Sequence, residues 1–164
     1  SNSNTKLSKV QYNHFLVKQE LERRKKKYHG NNSAETFITP ESIDTPYLNN
    51  NKTAIGFDYS GVIKISGPLE GCVYVSAPSV MLREVINVMG EPDSSITMMK
   101  DLLGEMANTI SGNARTEFGS EFIISTPQIV ESAPSVSYLP RDRQSYITPF
   151  TWRGYKAVIG ICIA

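Results

Sequence analysis

Histidine and cysteine are scarce in this chain of 164 residues, which has two of each, and that scarcity removes most catalytic chemistry at the outset. His14 and His29 stand in a polar N-terminal stretch, with no Ser, Cys or carboxylate at a recognisable motif spacing, so neither a nucleophile–base triad nor a metal site is spelled out. Cys72 and Cys162 lie in separate apolar runs without C-x-x-C spacing. Isolated thiols of this kind point to a reduced, cytoplasmic setting. No apolar run approaches the roughly 18 residues that a membrane-spanning helix needs, and no basic n-region followed by an apolar h-region opens the chain. A phosphate-cradling loop is missing too, since the stretch 112–119 follows no strand and carries no Gly-Lys-Ser/Thr. A strong charge of one sign is also lacking, because the formal net charge is only +1.

That near-neutrality hides an uneven division. Residues 1–30 carry eight Lys or Arg against two Glu, whereas the rest of the chain has nine basic against fourteen acidic side chains. The cluster Arg23-Arg24-Lys25-Lys26-Lys27 has no interleaved aromatics and precedes Gly30, so it reads as the solvated C-terminal end of a surface helix over 7–27. Contact with nucleic acid or an anionic membrane is the less favoured reading. The Asn-rich, Pro-bounded stretch 31–52 reads as a linker or irregular loop. The expected organisation is therefore a polar, basic N-terminal helix plus linker over 1–50 and one globular domain over 51–164.

Within the domain, β-branched runs over 61–67 and 71–77, joined through Gly67-Pro68-Leu69-Glu70-Gly71, predict an antiparallel hairpin. Pro78-Ser79 opens a helix with Met81, Leu82, Val85, Ile86, Val88 and Met89 on its apolar face, stopped at Gly90 with Pro92 beyond. Residues 93–95 cap a second, longer helix running to about Phe118. Strands are then expected over 122–130, 145–152 and 155–163, the last two hinged at Arg153-Gly154, with Trp152 and Tyr155 as hairpin and core aromatics. The fold class is α+β, a largely antiparallel sheet packed against two long amphipathic helices.

The long helix carries the most specific signal. At about 100° per residue from Asp101, the positions of Glu105, Asn108, Gly112 and Arg115 fall near about 40°, 340°, 20° and 320°, a single polar stripe. Met99, Leu102, Leu103, Met106, Ala107, Ile110 and Ala114 fill the opposite half. Asn113 sits at the edge of the apolar arc, where a structural hydrogen-bonding role is expected. E-x-x-N alone has little specificity, and the chain holds a second copy at Glu84 and Asn87. That copy lacks both the preceding acidic residue and a following Ser-Gly-Asn-Ala, so it is read as surface.

The order of acidic residue, three spacers, Glu, two spacers, Asn and then Ser111-Gly112-Asn113-Ala114 resembles the signature of the CheC/CheX chemotaxis phosphatases, and the strand, turn, strand and helix upstream follow in the CheX order. The resemblance covers roughly 53–164, although the family's downstream proline falls between Pro127 and Pro134 and the first fifty residues do not look like its usual opening helix. It implies a CheX-like fold, a phosphorylated CheY-like response regulator as partner and substrate, and hydrolysis of its aspartyl phosphate. Glu105 and Asn108 are the implied catalytic residues. Asn108 would fix the attacking water, since a carboxamide both accepts and donates. Glu105 would pair with the lysine that response regulators keep beside their phosphoaspartate. Asp101, Gly112 and Arg115 are expected to border them as partner-binding positions. The resemblance also implies no metal of its own, with Mg2+ carried by the partner, and a homodimer, for which 155–163 offers an apolar candidate edge. The competing expectation is a noncatalytic adapter that docks to a response regulator or to the flagellar switch through the same helix face.

Overall fold

The computed structural model describes residues 42–91, 95–118 and 123–163, with backbone alone for 113–118. The helix expected over 7–27, the stretch 31–41, cap residues 93 and 94, and the side chains of Asn113 and Arg115 lie outside the described residues.

Among the described residues, eight strands and two helices follow one another as β1 (Ser42–Ile43), β2 (Tyr47–Asn50), β3 (Tyr59–Ser66), β4 (Gly71–Ala77), α1 (Ser79–Val88), α2 (Ile96–Phe118), β5 (Ile123–Ile124), β6 (Gln128–Glu131), β7 (Gln144–Trp152) and β8 (Tyr155–Ile163). The strands form a single antiparallel sheet in the order β1-β7-β8-β4-β3-β5, in which β2 also lies along β7 and β6 also lies along β3. The expected hairpins β3–β4 and β7–β8 are both present. Positive φ at Arg153 (48°) and Gly154 (80°) gives the second hairpin its tight turn, above which the Trp152 and Tyr155 rings stack with centroids 6.4 Å apart.

Three expectations need correction. Residues 42–50 are not part of a linker, since β1 and β2 pair with β7 from Phe150–Thr151 to Gln144. The strand 155–163 is not an edge, because β8 is paired on both sides, to β7 and to β4. An apolar, β-branched run marks burial on both faces, which a central strand has and an edge strand lacks. The strand expected over 122–130 is broken, with Ser125 to Pro127 leaving the ladder between β5 and β6. Ser125 holds that break in place. Its N–H donates to the Lys64 carbonyl at 2.9 Å, and its Oγ accepts from the Lys64 N–H at 2.9 Å.

Alternation across the strands builds two cores. Ile63, Ile65, Val73, Val75, Ala77, Ile159 and Ile161 face the helices and pack with Met81, Leu82, Val85, Ile86, Met99, Leu102, Leu103, Ala107 and Ile110. Val62, Cys72, Tyr74, Ile147, Val158 and Cys162 face the other way, beneath Leu139 and Tyr138, with Ala54, Ile55 and Phe57 beside them. Both cysteines are buried and free. Burial in this second core pushes the Cys72 thiol pKa far up, so it stays protonated and inert. No helix among the described residues is long and apolar enough to cross a membrane.

Helix α1 has no capping side chain of its own at Pro78; Asp58 supplies the acceptor instead. Its Oδ2 accepts from the Ser79 N–H at 2.8 Å and from Ser79 Oγ at 3.0 Å. The backbone donor holds the Asp58 carboxyl below its ordinary value of 3.8, helped by the Ser79 hydroxyl and, one turn on, by Arg83. A lowered folded pKa means stability that is complete above the unfolded value and lost as pH falls through the folded one. We therefore expect Asp58→Asn to lower the melting temperature at neutral pH, with the gap to wild type closing below about pH 4. A pH series of thermal melts reads this directly, and a gap that stays constant into acid would assign the loss to packing alone.

Candidate functional site

The long helix α2 starts at Ser95, whose Oγ accepts from the Met98 N–H at 3.3 Å. It is seated directly on β3. A β-carbon on Gly61 would stand 3.0 Å from the Leu103 carbonyl oxygen, so the missing side chain at Gly61 lets helix and strand backbones touch just before the turn that holds Glu105 and Asn108. Met99, Leu102, Leu103, Ala107 and Ile110 are buried, and Met106 is partly so. The face opposite them is exposed at Asp101, Glu105 and Asn108 and half-buried at Gly112. Asp101, Glu105 and Asn108 of the sequence-derived stripe thus form a solvent-facing row, with Gly112 half-covered at its end. Arg115 follows within the same helix.

The turn that carries the pair has two supports that the sequence reading missed. Thr109 Oγ1 donates to the Glu105 carbonyl at 2.9 Å, a back-bond that ties this turn to the next. Pro127 flanks the helix, lying 3.5 Å from where a β-carbon on Gly104 would be, with Ile129 at 3.7 Å. The Ser125 break in the β5–β6 ladder brings Pro127 there. Its position along the chain was visible as a departure in proline spacing, but its contact with Gly104 depends on a pairing that spacing does not encode.

Among the described residues, the Glu105 and Asn108 side chains have no hydrogen-bond or ion-pair partner. The second E-x-x-N differs on this point. Glu84 Oε1 meets Arg153 Nη1 at 3.4 Å, and that guanidinium also lies 5.2 Å from the centre of the Trp152 ring. Glu84 is thus engaged by its own fold, whereas Glu105 is presented outward. No group of three or more His, Cys, Asp or Glu able to hold a metal ion occurs among the described residues. Glu105 and Asn108 project from the convex side of a helix, so they cannot exclude water by themselves. Chemistry there needs a second molecule to supply the opposite wall.

A family model described as chemotaxis phosphatase CheX matches residues 59–151. Comparison with curated proteins gave no match. Among solved structures the chain is similar to a CheC-like superfamily protein from Shewanella sp. PV-4, at 26% identity over 88% of this chain and 97% of that one, with a TM-score of 0.63. It is also similar to the chemotaxis protein CheX of Desulfovibrio desulfuricans (22% identity, 90% and 99% covered, TM-score 0.68). A chain of the CheX–CheY–BeF3–Mg2+ complex of Borrelia burgdorferi shares the fold at 19% identity, 80% and 92% covered, with a TM-score of 0.60. The family match spans β3 through most of β7 and includes the whole of α2 with its exposed Glu105 and Asn108; the chain belongs to the CheX chemotaxis phosphatase family.

Proposed function

We propose that this protein accelerates hydrolysis of the aspartyl phosphate of a CheY-like response regulator, in chemotaxis or a related two-component pathway. The observation that carries this reading is the outward, unengaged pair Glu105 and Asn108 on a helix fixed to the sheet at Gly61. In the Borrelia complex named above, CheX is found with CheY, BeF3 and Mg2+. BeF3 is a stand-in for a phosphoryl group, so the pairing is of the kind proposed here.

Loss of phosphate from an acyl phosphate needs a water placed in line with the bond to the leaving carboxylate. Asn108 does this. Its carboxamide oxygen accepts from the water and its NH2 donates to a phosphoryl oxygen, and the helix holds both groups at fixed height. Glu105, one turn earlier and acceptor-only when ionised, pairs with a lysine of the regulator and sets the angle at which α2 lies across the phosphorylated site. Asp101, Gly112 and Arg115 line the same row as docking positions. The Mg2+ belongs to the regulator, where it offsets phosphoryl charge. A homodimer of the kind the family resemblance implies would join at an outer edge, β1–β2 or β5–β6, since β8 is enclosed.

The test is phosphate release from a panel of phosphorylated response regulators, with each E-x-x-N pair removed in turn. Glu105→Ala with Asn108→Ala should return the rate to the regulator's own. Glu84→Ala with Asn87→Ala should stay within about two-fold of wild type, since an exposed ion pair such as Glu84–Arg153 is worth about 0–1 kcal/mol. Equal loss from both doubles would deny α2 its special place. No stimulation by the wild type on any regulator would leave the adapter as the surviving role.

A further inference from the structure

Glu105 and Asn108 can act together only if their side chains keep one mutual angle, and both hang from a single turn of α2. The ties on that turn therefore decide the geometry of the pair. Just before it, the Leu103 carbonyl rests against Gly61 of β3. Just after it stands Thr109, half-buried, one residue past Asn108 and four past Glu105. Thr109 Oγ1 donates to the Glu105 carbonyl at 2.9 Å. In an α-helix that carbonyl is also the regular acceptor of the Thr109 N–H, so two donors of one residue converge on one oxygen. The second donor fixes the threonine rotamer and bends the helix at this turn, and it does so at a slight loss of helix stability. Its effect is on shape.

We propose that Thr109 is a positioning residue for the hydrolysis: through the Glu105 carbonyl, its hydroxyl sets the angle between the Glu105 and Asn108 side chains and hence the place of the water that Asn108 holds. This rests on the phosphatase reading and deepens it. The two side chains of the pair differ in how far they tolerate a change of angle. A lysine of the regulator is a point charge on a flexible stem and follows a displaced Glu105 carboxylate. A water in line with the bond to the leaving carboxylate has no such slack. Misplacement of a reacting atom by about 1 Å costs on the order of 10²-fold, so a shift of roughly 0.3–0.5 Å on release of the bend costs about four- to ten-fold. The loss falls on turnover and leaves docking intact.

The test compares wild type with Thr109→Val, which keeps the branched shape and removes the donor, and Thr109→Ser, which keeps the donor and removes the methyl group. Phosphate release against regulator concentration, thermal melts and the carbon-13 shift of the Glu105 carbonyl are measured for each. Valine should lower the rate at saturation about four- to ten-fold, with half-saturation within about two-fold of wild type. Its melting temperature should stay within about 2 °C of wild type, and the Glu105 carbonyl shift should move. Serine should restore both the rate and the shift. Thr109 has at least one further interaction besides this bond, and the carbonyl shift separates the two. A slower valine variant with an unmoved Glu105 carbonyl would assign the effect to that other interaction and overturn the proposal. Equal losses with valine and serine would overturn it in favour of methyl packing, and a rise in half-saturation alone would overturn it in favour of docking. Wild-type turnover with valine, from a protein that does accelerate phosphate release, would remove the role of Thr109 and keep the phosphatase reading. A wild type that accelerates release from no regulator would remove both.

Discussion

Asn108→Ala is expected to abolish stimulated phosphate release from the regulator while the protein melts at or slightly above the wild-type temperature. The two halves of that result come from different physics. Asn108 is exposed on a helix, so truncation opens no cavity, and alanine is the better helix former at such a position. Its carboxamide, by contrast, is the group that fixes the attacking water, and misplacement of a reacting atom by about 1 Å costs on the order of 10²-fold in rate. Glu105→Ala should behave differently. With the orienting ion pair gone, half-saturation should require more regulator, while the rate at saturation falls less than it does in Asn108→Ala. Steady-state phosphate release against regulator concentration, with circular dichroism melts of each variant, separates the two. Wild-type turnover in Asn108→Ala would end the water-positioning role, and a parallel loss of melting temperature would move the effect from chemistry to folding.

The site helix was legible in the sequence because its evidence is local. A 3.6-residue period fixes which side chains share a face regardless of what the helix packs against, and Met99, Leu102, Leu103, Ala107 and Ile110 are indeed buried while Asp101, Glu105 and Asn108 are exposed. The hairpins β3–β4 and β7–β8 were readable for the same reason, since each joins strands adjacent in the chain. The errors fell where pairing is not local. Nothing between Tyr155 and Ile163 says that β4, some eighty residues earlier, will cover its second side, although its unbroken apolar run was the available clue and points to a central strand. Ser42–Ile43 and Tyr47–Asn50 are too short and too polar to show a strand period, and they become strands only because β7 offers an unpaired edge. The engagement of Glu84 by Arg153 could not be read either. It depends on the β7–β8 turn meeting α1 across sixty-nine positions of sequence, and it adds a structural difference to two E-x-x-N pairs that their flanking residues already distinguish.

The largest stability effect is expected far from the site helix, at Gly160→Ala. Gly160 lies opposite Tyr74 in the β4–β8 ladder, and the Tyr74 ring crosses the space that a side chain at Gly160 would fill. A methyl group there collides with the ring edge and sits 2.7 Å from the phenolic oxygen. Tyr74 cannot rotate away cheaply. It is fully buried, and its hydroxyl donates to the Ile55 carbonyl at 2.8 Å, tying segment 54–57 over this face of the sheet. Overpacking of this kind costs about 1–3 kcal/mol, and loss of the tyrosine hydrogen bond adds about 1 kcal/mol. For a domain of this size that corresponds to a melting temperature lower by roughly 5–15 °C. Pairing the substitution with Tyr74→Leu tests the cause. The smaller side chain vacates the space, so the double variant should be more stable than the sum of the single effects predicts by about 1 kcal/mol or more. Because the collision lies on the face of the sheet opposite α1 and α2, Gly160→Ala molecules assayed well below their melting point should keep regulator turnover close to wild type. A melting temperature unchanged by Gly160→Ala would mean that the ring and the strand have room to part, and a coupling of zero in the double variant would assign the loss to strand backbone and not to Tyr74.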